Sequence, residues 1–547
     1  MMLHRFVEPA IRSALTRMGV SADHPIALET PRNAGQGDLA STVAMSLAKT
    51  LSKAPKVIAE EICTELRSAP YIQHVDVAGP GFINVTFDRS VYHVVLAELL
   101  QQADGIGRSS IGVGSRVNVE YVSANPTGPL HAGHGRNCAV GDTIANLYAW
   151  CGFNVTREYY FNNAGNQMNK LAESIDARLH QHLGADVAFP EDGYHGEYIT
   201  LIAQHVADAH GSAVLDLPEV ERRDLCKKAG EQWCFATIRA TLDKLTIHHD
   251  VYFNEDSLYT DGKVQQVIDT LRGNGLAYEK DGALWFALEQ LGNPQDKVIV
   301  KSSGEPTYRL PDIAYHCDKL ERGFDVVVDI FGADHIATIP DVVAGVRAMG
   351  LDETKIRTVI HQMVTFIEDG EVVKFSKRSG TSFTLDDLIE EVGADVVRFF
   401  FIMRAVGTHL EFDLNLAKEE GDKNPVFYLQ YAHARIASIL RKAAEQGLQV
   451  SDAVDLSVLV HDKEIALIDV LSRYGGTIER ACVNLEPQAV AEYLREVAAA
   501  YHHFYHDCRI LGTEEPLQSA RLALALVTQR ALRNGLQIVG VSAPDVM

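Results

Sequence analysis

The chain has 547 residues, enough for roughly three or four domains. Hydrophobic residues make up 46% and charged residues 22%, an ordinary globular balance with material for sizeable cores. A net charge of −23 excludes a scaffold that coats nucleic acid by bulk positive charge, and leaves open a local basic groove on an acidic body.

The first residues carry His4, Arg5, Glu8, Arg12 and Arg17, so no apolar signal core is expected there. Apolar runs such as Phe399–Met403 fall far short of the roughly 18 residues of a membrane span. Residues 1–110 read as a small α+β unit. Ala40–Lys49 and Val57–Leu66 have helical spacing, and Val75–Ala78 and Phe82–Phe87 read as strands around Gly79-Pro80-Gly81. The glycine-rich stretch Gly105–Gly114 reads as a linker.

From Val117 the pattern becomes strand, loop and helix: Val117–Val122, Ser123–Leu130, then a helix from Gly133 to Cys151. Strands near Val298–Lys301, Val326–Phe331 and Arg357–Ile360 suggest a parallel α/β sheet, with insertions at about 170–290. After Asn415 the chain reads as helices over Phe427–Glu445, Ile465–Val483, Glu486–Asp507 and Glu515–Val539. Eight scattered cysteines without a C-x-x-C pair argue against structural zinc and against a disulfide framework. A reducing compartment, the cytoplasm, is expected.

His131-Ala132-Gly133-His134 follows a strand and opens a helix. Free N–H groups and the helix dipole favour phosphate at such a junction, and Gly133 lets a nucleotide approach the backbone. Two imidazoles could stabilise charge developing in phosphoryl or nucleotidyl transfer. The blander alternative, two histidines capping and packing a helix start, weighs about equally on this motif alone. A zinc pair is the poorer reading, because no third ligand is evident. Far downstream, Lys374-Phe375-Ser376-Lys377-Arg378 concentrates cations that could close on a polyphosphate, although an isolated string of this kind is more often a solvated loop.

H-x-G-H and a K-M-S-K-S-like loop together are the paired signatures of class I aminoacyl-tRNA synthetases, here written HAGH and KFSKR. The longer segments VEYVSANPTGPLHAGHGRN (119–137), GEPTYRLPDIAYH (304–316), FDLNLAKEEGDKNPVFYLQYAHARI (412–436), AGPGFINVTF (78–87) and NGLQIVGVSAPDVM (534–547) resemble arginyl-tRNA synthetases. The resemblance covers nearly the whole chain. It implies a multidomain α/β protein: a small N-terminal α+β domain binding the tRNA D-loop (1–110), a class I Rossmann-like parallel-sheet catalytic domain (111–415), and an all-α helical anticodon-binding bundle (416–547).

The resemblance further implies ATP-dependent ligation of L-arginine to tRNA(Arg) through an arginyl-adenylate. Mg²⁺ would enter with ATP, no membrane would be involved, and the enzyme would be a monomer. His131, Gly133, His134, Lys374, Ser376 and Lys377 would contact ATP, with His131, His134, Lys374 and Lys377 catalytic. Glu120, Ser123, Asn125, Tyr308, Asp312 and His335 would line the arginine site, since a guanidinium demands carboxylates and hydroxyl or amide oxygens. Asp312 read alone would more readily be an N-cap for a helix over Ile313–Leu320. Phe82 and Asn84 would meet the tRNA D-loop by stacking and edge reading, with Phe82 equally able to fill a core. Tyr431, Arg435 and Met547 would lie on the anticodon side, Tyr431 being as readily a core residue. The aromatic run Tyr501–Tyr505 reads as bundle packing.

One departure is informative. Many relatives carry lysine three residues before the first histidine and lack the second loop lysine; this chain has Gly128 and retains Lys377. Another nucleotidyl transferase of the same fold is disfavoured by Glu120, Asp312 and the full-length match. A noncatalytic tRNA-binding relative would have no need of intact HAGH and both lysines, and a P-loop signature is absent. Lys377→Ala is expected to slow amino-acid activation severely; a rate within a few-fold of wild type would refute its role.

Overall fold

The computed structural model describes residues 2–31, 35–373, 383–451 and 453–547. The N-terminal unit contains helices α1 (Glu8–Arg17), α2 (Val43–Leu51) and α3 (Pro55–Leu66). They accompany an antiparallel sheet of β1 (Leu28–Glu29), β2 (Leu39–Ser41), β3 (Ile72–Ala78) and β4 (Phe82–Phe87), ordered β1-β2-β4-β3. Ala40 and Ser41, expected at the start of a helix, lie instead in β2 and pair with β4, so the helix starts only at Val43. A strand edge decides here over local periodicity. On β4, Ile83, Val85 and Phe87 are buried in the core, so Phe82 and Asn84 belong to the other face.

Helix α4 (Ser90–Gln101) leaves this unit and packs against the C-terminal helices. The expected linker after it is packed too. A Cβ on Gly107 would sit 2.7 Å from the Tyr474 ring, and Asn534 donates to the Asp104 and Ile106 carbonyls.

The central sheet is built from β5 (Arg116–Glu120), β6 (Asn154–Phe161), β7 (Val251–Asn254), β11 (Val326–Gly332) and β12 (Ile356–His361). All five strands are parallel, in the order β12-β11-β5-β6-β7. Helix α5 (His134–Trp150) links β5 to β6. Helices α6 (Gly165–His182), α7 (Glu197–His210) and α8 (Glu219–Lys244) follow, with a hydrophobic core of their own around Leu171, Ile175, Ile202 and Cys234. The stretch 170–290 is therefore not one continuous insertion, because β7 returns to the sheet edge within it.

Beyond β7 come α9 (Asp256–Thr260), α10 (Lys263–Gly273), β8 (Ala277–Lys280), β9 (Ala283–Phe286) and β10 (Lys297–Val300). The strand expected near Val298–Lys301 lies in this separate antiparallel sheet, ordered β10-β9-β8, and not in the parallel one. The cause is local: Asp281 and Gly282, both at positive φ, close a two-residue hairpin, and β10 takes the free edge of β9. Helix α11 (Arg309–Glu321) then leads to β11, and α12 (Ile339–Ala348) to β12.

A small sheet of β13 (Val364–Glu368), β14 (Glu371–Val372) and β15 (Leu410–Asp413) encloses α13 (Leu385–Val392) and α14 (Ala394–Ile402) in sequence. The remainder is helical: α15 (Leu414–Lys418), α16 (Pro425–Glu445), α17 (Asp462–Ser472), α18 (Tyr474–Asn484), α19 (Pro487–Asp507) and α20 (Leu517–Ile538). The single helix expected over Ile465–Val483 breaks at Arg473. Gly475 and Gly476 weaken the helix there, and the Tyr474 ring is buried in a stack on Tyr493. All eight cysteines are free and buried, and no helix among the described residues is long and apolar enough to cross a membrane.

One feature of the parallel sheet sets up the site. Glu158 on β6, Glu120 on β5 and Asp329 on β11 are register partners, so three carboxylates stand side by side across the central strands. Like charges so placed repel unless they are compensated. Helix α11 and its C-cap residue Arg322 lay a row of cations over them. Lys319 donates to Glu120 and Asp329 at 2.6 Å each, and His316 Nε2–H to Asp329 at 3.0 Å. Arg322 grips Glu158 through two nitrogens at 2.6 and 2.8 Å, and the Tyr315 hydroxyl also donates to it.

Lys319 is wholly buried. Burial alone would discharge its ammonium, but Asp329, Glu120 and Glu158 outweigh that and hold it protonated. Removing one member of such a network strands charge in the interior, at a cost of about 3–5 kcal/mol. Lys319→Met is expected to lower the first unfolding transition in denaturant by this amount; an unchanged midpoint would show that the carboxylate row tolerates neutralisation.

Candidate functional site

The loop between β5 and α5 begins under strain. Val122 (φ 69°) and Ser123 (φ 44°) both occupy the left-handed region, unusual for any side chain and costly for a β-branched one. Asn137, in the first turns of α5, compensates: its Oδ1 accepts from Val122 N at 2.6 Å and its amide donates to the Ile330 carbonyl at 2.9 Å. Ser123 donates to Glu120 and accepts from Tyr160 N, while Asn125 donates to Gln167 and accepts from Asn162 N. The chain's turn away from the sheet is thus held at each step. At Gly141 a Cβ would lie 2.2 Å from that of Tyr121, so only glycine allows α5 to cross the strand end so closely.

The loop ends at the two histidines. Gly133 N donates to His131 Nδ1, and His131 N donates to His134 Nδ1, both at 3.0 Å. With Nδ1 accepting in each ring, the neutral imidazoles carry their proton on Nε2. Burial lowers the pKa of both, so they stay neutral at physiological pH and still donate. Their rings stand edge to face, 6.5 Å apart, at the N-terminus of the 17-residue α5. Two oriented donors beside a positive helix end form an anion site.

The second motif lies far downstream in the sequence. Lys374, Ser376 and Lys377 lie outside the described residues. Immediately after them, Ala132 N donates to the Phe383 carbonyl at 3.1 Å and Leu385 N to the Leu130 carbonyl at 2.8 Å. His131 bridges Thr384, whose hydroxyl belongs to the capping box of α13. Backbone hydrogen bonds thus join the HAGH loop to residues 383–385. Arg136 adds to this: fully buried, it donates to the carbonyls of Gln362, Ala405 and Thr408, which flank β13 and β15.

Beside the loop lies an acidic pocket at the carboxyl ends of the parallel strands, where ligands of open α/β sheets bind. Helix α11 starts at Arg309, so Asp312 sits in its first turn and caps nothing. It makes no ion pair among the described residues. Burial pushes its carboxyl up to about 7; the His316 charge pulls against this, and Glu120 and Glu255 add to it. Glu120, expected in the arginine site, is engaged by Lys319 at one oxygen and by Ser123 at the other. Tyr308 is 84% exposed at the N-terminus of α11, and His335 stacks on Phe331 beside a small cavity shared with Asp312 and His316.

Glu255, just beyond β7, and Tyr160 on β6, whose hydroxyl donates to it at 2.7 Å, join Asp312 and Glu120 in one acidic cluster. Neither was singled out in the sequence. The missing signal was β7 itself, hidden in a stretch read as insertion.

The residues expected to meet tRNA are spread wider. Phe82 is half-buried on the face of β4 away from the core, and Asn84, though buried, donates only a long 3.4 Å bond to Asp76. On α16, Tyr431 is exposed, and the Arg435 guanidinium lies 4.4 Å over its ring and 4.9 Å over that of Tyr505. Tyr501 and Phe504 pack in the bundle as expected, whereas Tyr505 is 40% exposed and belongs to this cation–π stack. The C-terminal tail runs along the same helix, with His433 donating to the Pro544 carbonyl at 3.0 Å, and ends at an exposed Met547.

The description of class I tRNA synthetase (R) catalytic domains matches residues 96–398, which makes the sheet and its two-histidine loop a class I synthetase catalytic domain. An arginyl-tRNA synthetase N-terminal domain matches residues 5–87, and a DALR anticodon-binding domain residues 429–547. An arginine–tRNA ligase of Salinibacter ruber is 48% identical over 99% of this chain and all of its own length. One from Desulfotalea psychrophila is 45% identical over 95% of the chain and 94% of its own. The chain belongs to the arginyl-tRNA synthetase family. Its fold is shared with the Thermus thermophilus arginyl-tRNA synthetase, at a TM-score of 0.78, 23% identity, 99% of this chain and 100% of that one.

The hydrogen-bond pattern fixes the state of the histidines. In nitrogen-detected NMR, His131 and His134 are expected to titrate below 6.5 as Nε2–H tautomers; a midpoint above 6.5 in either ring would contradict neutral donors.

Proposed function

We infer that this chain ligates L-arginine to tRNA(Arg) in two ATP-driven steps. In the first, an arginine carboxylate oxygen attacks the α-phosphorus of ATP, forming arginyl-adenylate as pyrophosphate leaves. In the second, a 3′-terminal ribose hydroxyl attacks the adenylate carbonyl carbon, and AMP leaves. The observation that carries this reading is the desolvated Asp312 carboxyl, without an ion pair among the described residues, together with two neutral imidazole donors at a helix N-terminus.

A guanidinium keeps its proton at any relevant pH and offers a planar fork of donors. Asp312, with Glu120 and Glu255 nearby, supplies the matching negative field, and Ser123, Asn125, Tyr308 and His335 surround it in our reading. His131 and His134 donate Nε2–H to the phosphates and stabilise the charge that builds as pyrophosphate departs. Lys374, Ser376 and Lys377 would act on the same phosphates, an assignment that rests on the resemblance of their motif. Mg²⁺ enters with ATP as part of the substrate complex.

The three units divide the labour, with boundaries near 110 and 415. Phe82 and Asn84 present a stacking ring and an amide to the tRNA D-loop. Tyr431, Arg435 and Met547 face the anticodon, and Tyr505 joins them through its stack with Arg435. The enzyme would work as a cytoplasmic monomer, its net negative surface limiting nonspecific nucleic-acid contact outside these patches.

Asp312 yields a signed pH test. Its raised carboxyl must lose a proton to pair with a guanidinium, so arginine affinity should fall about tenfold per pH unit below about 7 and level off above it. Asp312→Asn is expected to raise the arginine KM by about 100-fold or more and to flatten this dependence, with the ATP KM within a few-fold. Equal effects on arginine and ATP would refute the pocket role.

A further inference from the structure

Helices α6–α8 have their own core and no part in the chemistry described so far. They nevertheless touch the active-site loop at several points. Gln167 on α6 accepts from Asn125, and Glu231 on α8 accepts from Asn163 in the segment that follows β6. The most direct contact is made by Tyr198 on α7. Its hydroxyl donates to the Thr127 carbonyl at 2.7 Å, midway between Asn125 and His131.

Three features make this contact specific. The Tyr198 ring is stacked on Trp233 of α8, centroids 5.4 Å apart and planes within 18°, so it is held from behind. Burial pushes its pKa up, so the phenol remains a donor across the working pH range. Gly128 leaves room for it: a Cβ there would lie 3.0 Å from the Tyr198 oxygen and 3.2 Å from Cζ. No positive φ demands glycine at 128, so the reason for it is close approach and not backbone conformation.

We propose that Tyr198 is a positioning residue for arginine activation, and that α6–α8 exist in part to hold the loop 123–130, through Tyr198, at the spacing that sets the arginine side of the site against the two histidines. The proposal rests on the function inferred above. Without the tether, the segment around Thr127 depends on the bonds of Ala124 and Asn125 on one side and on the backbone bonds to Phe383 and Leu385 on the other. Small displacements of a reacting pair lower rates strongly while leaving remote binding untouched.

The test uses the full-length enzyme, first confirmed to charge tRNA with arginine; failure of that control sinks the functional reading and not the tether. Tyr198→Phe removes one oxygen and keeps the stack on Trp233. It is expected to lower kcat for arginylation by about tenfold with the KM for tRNA within twofold and the melting temperature within about 2 °C. Gly128→Ala, which pushes against the same hydroxyl, should lower kcat similarly. The double variant should fall no further than the worse single one, because both changes break one contact. Wild-type kcat in Tyr198→Phe, multiplicative losses in the double variant, or a kcat loss matched by a large fall in melting temperature would each overturn the proposal.

Discussion

The active site depends on a charge problem inside the parallel sheet. Glu158, Glu120 and Asp329 stand in register on three adjacent strands, and the fold is tenable only because α11 and its C-cap bring Arg322, Lys319 and His316 over them. That match fixes the rotation and height of α11. Both ring nitrogens of His316 donate, Nδ1 to the Asp312 carbonyl and Nε2 to Asp329. Burial alone would discharge the ring, but Asp329 raises its pKa and keeps it protonated. One turn beyond this neutralised row lies Asp312, which makes no ion pair among the described residues. An interior salt-bridge network thus sets the position of this acid towards the carboxyl edge of the sheet. Its worth is geometric more than energetic, since buried ion pairs gain little net stability over apolar packing.

The loop from β5 to α5 stores strain and is surrounded by compensation. Two consecutive residues at positive φ are tolerated because Asn137, Ser123 and Asn125 each satisfy backbone groups across the turn. Tyr159 from β6 and Tyr198 from α7 donate to the Ala124 and Thr127 carbonyls, so the loop is anchored on the side of the α6–α8 unit. On its other side the segment 383–385 is hydrogen-bonded to Leu130 and Ala132. The result is a loop whose two ends keep a fixed separation, which the proposed in-line displacement at phosphorus requires.

The helical bundle is joined to the catalytic unit by a comparable device. Arg398 on α14, almost fully buried, pairs with Asp142 on α5 at 2.5 Å and donates to the Leu245 and Val539 carbonyls. A Cβ on Gly540 would lie 2.0 Å from its guanidinium, so the chain end after α20 can pass only as glycine. Ser542 continues the contact through Asp395 and Gln430, and the tail then reaches α16 beside the Arg435 stack. The helix that begins with His134 and the surface expected to face an anticodon are thereby parts of one packed body.

The sequence by itself determined the class of chemistry. HAGH at a strand-to-helix junction and KFSKR far downstream were legible because each motif is local, and the three-unit plan followed from changes of periodicity. The expected positions of α5, β4 and β11 held to within a residue at each end. Tertiary structure alone decided the rest. Leu39–Ser41 became a strand because β4 offered an edge, and β10 left the parallel sheet because a tight hairpin captured it. The carboxylate row, Glu255 beside Asp312 and Tyr198 on the loop were invisible in the sequence, since each depends on register or on contacts between residues 71 to 199 positions apart. Local physics writes motifs and periodicity into a chain, whereas electrostatic compensation and close approach exist only once distant segments meet.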